Sequence, residues 1–200
     1  MARYTGPKRR LSRREGVALS AKDLKAIERK GAVPPGQHGL GRRRRLSEYG
    51  LQLREKQKTK RIFGLLEKQF KRYYDMASKV KGATGIALLQ ILETRLDNVV
   101  YRLGFAKSRN FARQLVGHGH ILVDDKKVTI PSFNVNMNQT IAISPQMRDN
   151  TQVKKSLEEA TTLPGWLERK ATVGKVLRIP DREEMEQSVN EQLIVEFYSR

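Results

Sequence analysis

Two hundred residues carry 40 Lys and Arg against 21 Asp and Glu, a formal charge of +19, and no cysteine. The length allows one or two modest domains; disulfides and thiolate metal sites are excluded, and no apolar run approaches the ~18 residues of a membrane span. A compact body with this excess repels itself until a polyanion neutralises it, so the charge points to nucleic acid.

The excess is uneven. Residues 1–60 hold eighteen bases and five acids, whereas residues 150–200 hold eight bases and nine acids. A basic arm and face turned to nucleic acid, with an ordinary surface elsewhere, accounts for this polarity. A membrane-surface role is the weaker alternative, since no long basic amphipathic helix carries a broad apolar face.

In chain order, residues 1–45 carry Arg3, Arg9, Arg10, Arg13, Arg14, the run Arg42, Arg43, Arg44, Arg45, and a Pro34-Pro35-Gly36 turn. Only residues 21–29 have helical character, so most of this segment is expected to be irregular or to fold on its partner. Gly36, Gln37, His38 and Gly39 would let a backbone approach phosphates closely, with a plain loop as the alternative. Tyr4 and Tyr49 are expected to pack or stack beside RNA. From Ser47, an N-cap residue type, the chain to residue 80 predicts two helices, whose clearest stripe is Leu66, Phe70, Tyr73 and Ala77.

Leu89, Leu92, Leu96, Val99 and Leu103 then recur by threes and fours along one helical face. Lys107-Ser108 breaks that pattern, and Ser108 is placed to cap a second helix. On it Arg109 and Arg113 sit four apart while Phe111 and Leu115 point the opposite way. One side buries and the other offers two guanidinium forks to an anion; a merely solvated face is the alternative. Ile121-Leu122-Val123 and Lys127-Val128 flank Asp124-Asp125-Lys126 as a hairpin, with Ile141-Ala142-Ile143 as a third strand. A small sheet on two helices makes Phe105, Val116, Ile121 and Val123 a shared core, and Lys126 and Lys127 extend the positive surface. The remainder predicts a helix near 152–160, strands around 175–179 and 193–198, and a charged turn or helix at 181–187.

His118 and His120 lack a third and fourth ligand at suitable spacing, so a phosphate contact or a structural hydrogen bond outranks a metal. Glu183-Glu184 and Asp124-Asp125 are adjacent pairs that do not converge on one bond and are expected to be solvated charge. An RNA-modifying enzyme would need a separate catalytic domain, and the residues are accounted for without one.

The stretch 95–128, RLDNVVYRLGFAKSRNFARQLVGHGHILVDDKKV, resembles the S-four RNA-binding module. The opening ARYTGPKRRLSRREG, PPGQHG at 34–39, LREKQK at 53–58 and the ending PDREE…VNEQLIVEFYSR resemble the ribosomal S-four family over essentially the whole chain. That resemblance implies an α+β fold. It consists of a mostly helical first domain with an inserted two-helix plus small antiparallel sheet RNA-binding module, and an extended basic N-terminal arm. The expected boundaries are an arm at 1–45, the first part of the helical domain at 46–92, the module at 93–149, and 150–200 returning to the helical domain.

The resemblance further implies a structural constituent of the small ribosomal subunit, cytoplasmic (an organelle ribosome is not excluded). Family members bind the five-prime domain of small-subunit ribosomal RNA early and nucleate assembly of the body. They sit by the messenger RNA entry side next to the protein S-five, a contact linked to translational accuracy, and some repress their own messenger. Some also carry a zinc-binding cysteine cluster in the arm. Here the corresponding positions are Arg9 and Ser12, which implies a zinc-free arm that orders against RNA. Asp124-Asp125 stands where a Gly is usual, and Asn138-Gln139 where Gly-Asp is common, so the turn geometry departs from the family pattern. A free-standing RNA-binding translational regulator is the alternative function.

The expected mechanism is recognition of folded RNA by shape and backbone charge, because helical RNA hides its base edges in a deep, narrow groove. Arg is preferred over Lys where two oxygens must be gripped together. The residues expected to meet RNA in the module are Arg95, Arg102, Lys107, Ser108, Arg109, Arg113, His118, His120, Lys126 and Lys127. In the arm they are Arg3, Tyr4, Arg9, Arg10, Arg13, Arg14, Gly36, Gln37, His38, Arg42, Arg43, Arg44 and Arg45. Removing the charges of Arg109 and Arg113 together is expected to weaken RNA binding and leave the thermal midpoint nearly unchanged. No cofactor, metal, membrane partner or homo-oligomer is expected.

Overall fold

The computed structural model describes residues 4–19, 21–31, 33–39, 41, 45–158 and 162–200. In chain order the helices are α1 (Lys8–Glu15), α2 (Ala21–Lys30), α3 (Glu48–Ile62), α4 (Glu67–Ala77), α5 (Thr84–Glu93), α6 (Leu96–Arg102) and α7 (Arg109–Gly117). Strands β1 (Ile121–Val123), β2 (Lys126–Lys127) and β3 (Thr140–Ile143) follow, then α8 (Pro145–Arg148) and α9 (Thr151–Glu158). The chain ends with β4 (Leu167–Lys170), β5 (Val173–Val176), a 3-10 turn at Arg182–Glu184, and α10 (Glu191–Tyr198). The fold is α+β. It divides into two compact units, Met1–Gly85 with Ser188–Arg200, and Ile86–Gln187.

In the first unit, α3 is held by polar groups on its buried side, which is why no apolar stripe marks it. Gln52, Lys56 and Thr59 are all buried. Lys56 Nζ lies 2.6 Å from Glu67 Oε1 and 4.6 Å above the Phe197 ring, so its ammonium is satisfied by a carboxylate and a π face together. Ser47 caps the helix by accepting from Gly50 N at 3.2 Å, as its residue type predicts. The α4 stripe is also met, with Phe70, Tyr73 and Ala77 buried.

Two expectations for this unit are corrected. The segment 193–198, predicted as a strand, belongs to α10: Asn190 accepts from Gln192 N at 3.1 Å, Ile194 is buried, and Tyr198 stacks on Tyr74 with ring centres 4.5 Å apart. Short apolar runs such as LIVEF do not distinguish strand from helix by pattern; the cap and the partner decide. The arm likewise contains a second helix, α1. It closes at Gly16, whose φ of 71° is the left-handed cap conformation that glycine adopts without strain. Ser12 Oγ donates to Asp23 Oδ2 at 2.7 Å and accepts from Leu19 N at 3.2 Å, which ties α1 to α2.

In the second unit the sheet runs β2-β1-β3-β5-β4, antiparallel throughout. Ile121 pairs with Ile143 and Val123 with Ile141, so alternation turns these four side chains to one buried face. Phe105, Val116, Ile121 and Val123 share one core as expected, joined by Leu96, Val99, Leu103, Leu115 and Trp166. Gly174 in β5 makes the close approach possible, because a Cβ there would lie 2.5 Å from Leu103 Cδ1. At the β1–β2 turn both Asp124 and Asp125 take positive φ, 48° and 62°. The Asp124 carboxylate supports that shape by accepting from Thr140 N at 2.8 Å and Gln139 Nε2 at 2.8 Å. These bonds, the one from the Thr140 backbone first, hold its pKa below the usual value.

The sequence sends all of 150–200 back to the helical part. The structure returns only Ser188–Arg200, because β4 and β5 extend the sheet by pairing Lys175 with Thr140. The strand predicted at 175–179 is β5, shifted to Val173–Val176. The stripe from Leu89 to Leu103 is also not one helix. At Arg95 the backbone is extended (φ −62°, ψ 138°), and a bridge to Asn134 separates α5 from α6. Leu96 N donates to Phe133 O at 2.7 Å, which replaces the helical bond missing at the break.

Candidate nucleic-acid interface

α6 and α7 carry the cations that the sequence singles out, and the fold meets most of them with its own acids. Ser108 begins α7 as predicted, accepting from Phe111 N at 3.3 Å. From that cap Arg109 and Arg113 project on one side, while Ala112, Leu115 and Val116 bury.

Asp97, buried, serves two arginines. Arg95 grips it side-on through Nε at 3.1 Å and Nη2 at 2.8 Å. Arg113 reaches the same Oδ2 through Nε at 2.8 Å and Nη2 at 2.7 Å. Glu93, also buried, takes Arg102 through Nε at 3.0 Å and Nη2 at 2.6 Å and accepts from Asn98 Nδ2 at 2.6 Å. Burial disfavours the charge on Arg102, but Glu93 outweighs it and the pKa lies above the ordinary value. Arg109 donates through Nε to Asn98 Oδ1 at 2.8 Å and through Nη2 to Glu186 Oε2 at 3.0 Å. Its guanidinium carbon lies 4.7 Å from the centre of the Tyr101 ring.

Four expectations change accordingly. Arg95 is 1 % exposed, so it is a core residue and does not face a ligand. Arg102, Arg109 and Arg113 are partly exposed, and each has a carboxylate on its fork. The physical reason is desolvation: a guanidinium on a half-buried helix face needs an acid nearby. The acids were the signal overlooked. Glu93 and Asp97 interrupt an apolar run, and a carboxylate there buries only with a partner.

The module's remaining cations face outward. Lys107, Lys126 and Lys127 are exposed, as is His118. The Lys127 side chain lies across Gly119, whose φ of +73° is the left-handed conformation that favours glycine. His118 and His120 stand edge to face with ring centres 6.1 Å apart on that same bend.

In the arm, Arg9, Arg10, Arg14 and Arg45 are exposed and Tyr4 is 43 % exposed. Arg13 is a correction: its Nε and Nη2 donate to Val33 O at 2.8 Å and Pro34 O at 3.0 Å, so it fastens the loop to α1. Gly36, Gln37 and His38 are exposed, and Gly36 and Gln37 line an open pocket of about 430 Å³ together with Arg9, Arg13 and Asp23. Tyr49, expected beside RNA, packs on Phe197 with centres 5.7 Å apart. Arg3, Arg42, Arg43 and Arg44 lie outside the described residues.

Comparison with known proteins accounts for both units. Residues 3–93 match the ribosomal protein S4/S9 N-terminal domain, and residues 94–141 match the S4 domain. The chain is 54 % identical over 212 residues to the small ribosomal subunit protein uS4 of Herpetosiphon aurantiacus. It is 53 % identical over 208 residues to both the protein named uS4A of Symbiobacterium thermophilum and uS4 of Clostridium tetani. Each alignment covers 100 % of both chains. Matched from end to end by these relatives, and by domain models over most of its length, the chain belongs to the uS4 family of small ribosomal subunit proteins.

Proposed function

We propose that this protein acts as a non-enzymatic constituent of the small ribosomal subunit that binds folded ribosomal RNA by shape and phosphate charge. The observation that carries the proposal is the separation of its cations into two sets. Arg95, Arg102 and Arg113 are held by buried acids and stiffen the module, while Lys107, Lys126, Lys127 and the arm residues Arg9, Arg10, Arg14 and Arg45 face outward; the uncharged Tyr4 is exposed as well. A rigid basic face can match phosphate positions at an RNA junction without reading base edges. Ser108, His118 and His120 belong to the module's RNA contacts, and Gly36, Gln37, His38, Arg3, Arg42, Arg43 and Arg44 to those of the arm.

In this proposal the RNA is the five-prime domain, and binding nucleates the subunit body. The protein then lies in the cytoplasm, next to S-five by the messenger entry side, and contributes to accuracy. The test is titration of the full chain against a transcript of that RNA domain, with sedimentation of lysate in high magnesium. If six to ten phosphates are engaged, affinity falls by roughly three to five decades between 50 and 200 mM salt. A shallow slope, or a wholly free cellular pool, would overturn the proposal.

A further inference from the structure

Among the three acids of the arginine network, one differs in kind. The Glu93 and Asp97 side chains are 0 % and 4 % exposed, and removing either would leave a buried guanidinium unmatched. Glu186 is 24 % exposed, and the guanidinium it meets, Arg109, is 18 % exposed. It follows the 3-10 turn Arg182–Glu184, where Met185 is buried beside it.

Arg109 does not depend on Glu186 for its orientation. Asn98 Oδ1 accepts from Nε at 2.8 Å, and Asn98 is itself fastened to Glu93 at 2.6 Å. The Tyr101 ring supports the flat face of the guanidinium, 4.7 Å away. Glu186 meets the outer Nη2, at 3.0 Å, and lies 3.8 Å from Arg102 Nη2. A second anion could therefore replace it without disturbing the plane or direction of the fork.

We propose that Glu186 is a displaceable anion: it occupies Arg109 in the free protein and yields that position to a ribosomal RNA phosphate on binding. The inference rests on the RNA-binding reading above. Glu186 then lowers affinity by competition, since each binding event must first break an ion pair. A partly exposed pair is weak enough to exchange, whereas Glu93 and Asp97 are not. The outer Nη2 donates to a phosphate oxygen by the same charge-assisted bond that it makes to the Glu186 carboxylate.

The experiment is titration of the full-length protein, wild type and Glu186→Gln, against a transcript of the small-subunit RNA five-prime domain at 0.15 M salt. Glu186→Gln should tighten binding about threefold to fivefold, near the upper end of what an exposed pair contributes. Asp149→Asn removes the same charge at an exposed site paired with Lys154 and outside the arginine network, and should change affinity by no more than about 1.5-fold, because solvent and salt screen an exposed charge. In an Arg109→Gln background the Glu186→Gln gain should vanish. Unchanged affinity, an equal gain in Asp149→Asn, or a gain that survives without Arg109 would each overturn the exchange. So would a Glu186→Gln chain that fails to fold, since a placeholder holds no fold together. A wild-type chain that binds no ribosomal RNA would overturn the proposed function, and the exchange with it.

Discussion

The Glu93 carboxylate, fully buried, holds the Arg102 guanidinium side-on, 3.0 Å from Nε and 2.6 Å from Nη2. Glu93→Ala would strip the acid from a guanidinium that burial already disfavours. The expected loss is about 3–5 kcal/mol of unfolding free energy, measured by chemical denaturation. A loss below about 1 kcal/mol would rank the pair with exposed surface bridges.

Asp97 joins Arg95 in the core to Arg113 on α7. Arg113→Gln should lower stability by about 1–3 kcal/mol, because it removes two charge-assisted bonds to a buried acceptor. Calorimetry of the Arg109→Gln/Arg113→Gln pair should therefore show a depressed thermal midpoint, contrary to the expectation from sequence. An unchanged midpoint would restore the view that these two arginines exist only for RNA.

Lys126 and Lys127 form β2, an exposed edge strand. Converting both to Gln should leave stability within about 0.5 kcal/mol. The salt dependence of RNA binding should become shallower by about 0.7–0.9 for each phosphate that the variant no longer neutralises. If the slope does not change, the hairpin tip lies outside the RNA footprint.

Glu67 gives the first unit an acid-sensitive joint. Partial burial alone would raise its pKa, but hydrogen bonds from Lys56, Lys60 and Tyr198 outweigh that and lower it from 4.5 to about 2. A depressed carboxylate contributes stability that is fully present above its unfolded value and is lost as pH falls through the folded one. Unfolding free energy should decline between about pH 4.5 and 2, and Glu67→Gln should flatten that decline. Parallel profiles for the two proteins would show that the joint contributes nothing.

The Ser12–Asp23 bond, 2.7 Å long between buried partners, ties α1 to α2. Ser12→Ala should cost the arm about 1–3 kcal/mol by leaving the Asp23 carboxylate short of a donor. Limited proteolysis should then cut between α1 and α2 first, while the module stays resistant. Equal resistance in both proteins would show that other contacts hold the arm.

The polyanionic partner, the α7 cap at Ser108, the α4 stripe and the shared core of Phe105, Val116, Ile121 and Val123 were all legible from residue order. Each depends on local spacing or net charge, which a linear chain displays directly. The destination of the arginine forks was not legible. Whether Arg109 meets RNA or Glu186, 77 residues away, depends on a long-range juxtaposition that no periodicity encodes. The same holds for β5, whose place beside β3 rests on pairing across more than thirty residues of chain and which brings β4 into the sheet. It holds for α10 as well, where a cap at Asn190 and a Tyr74 ring overruled an apolar run compatible with a strand. Charge chose the class of partner; desolvation in the folded core chose which cations remain to meet it.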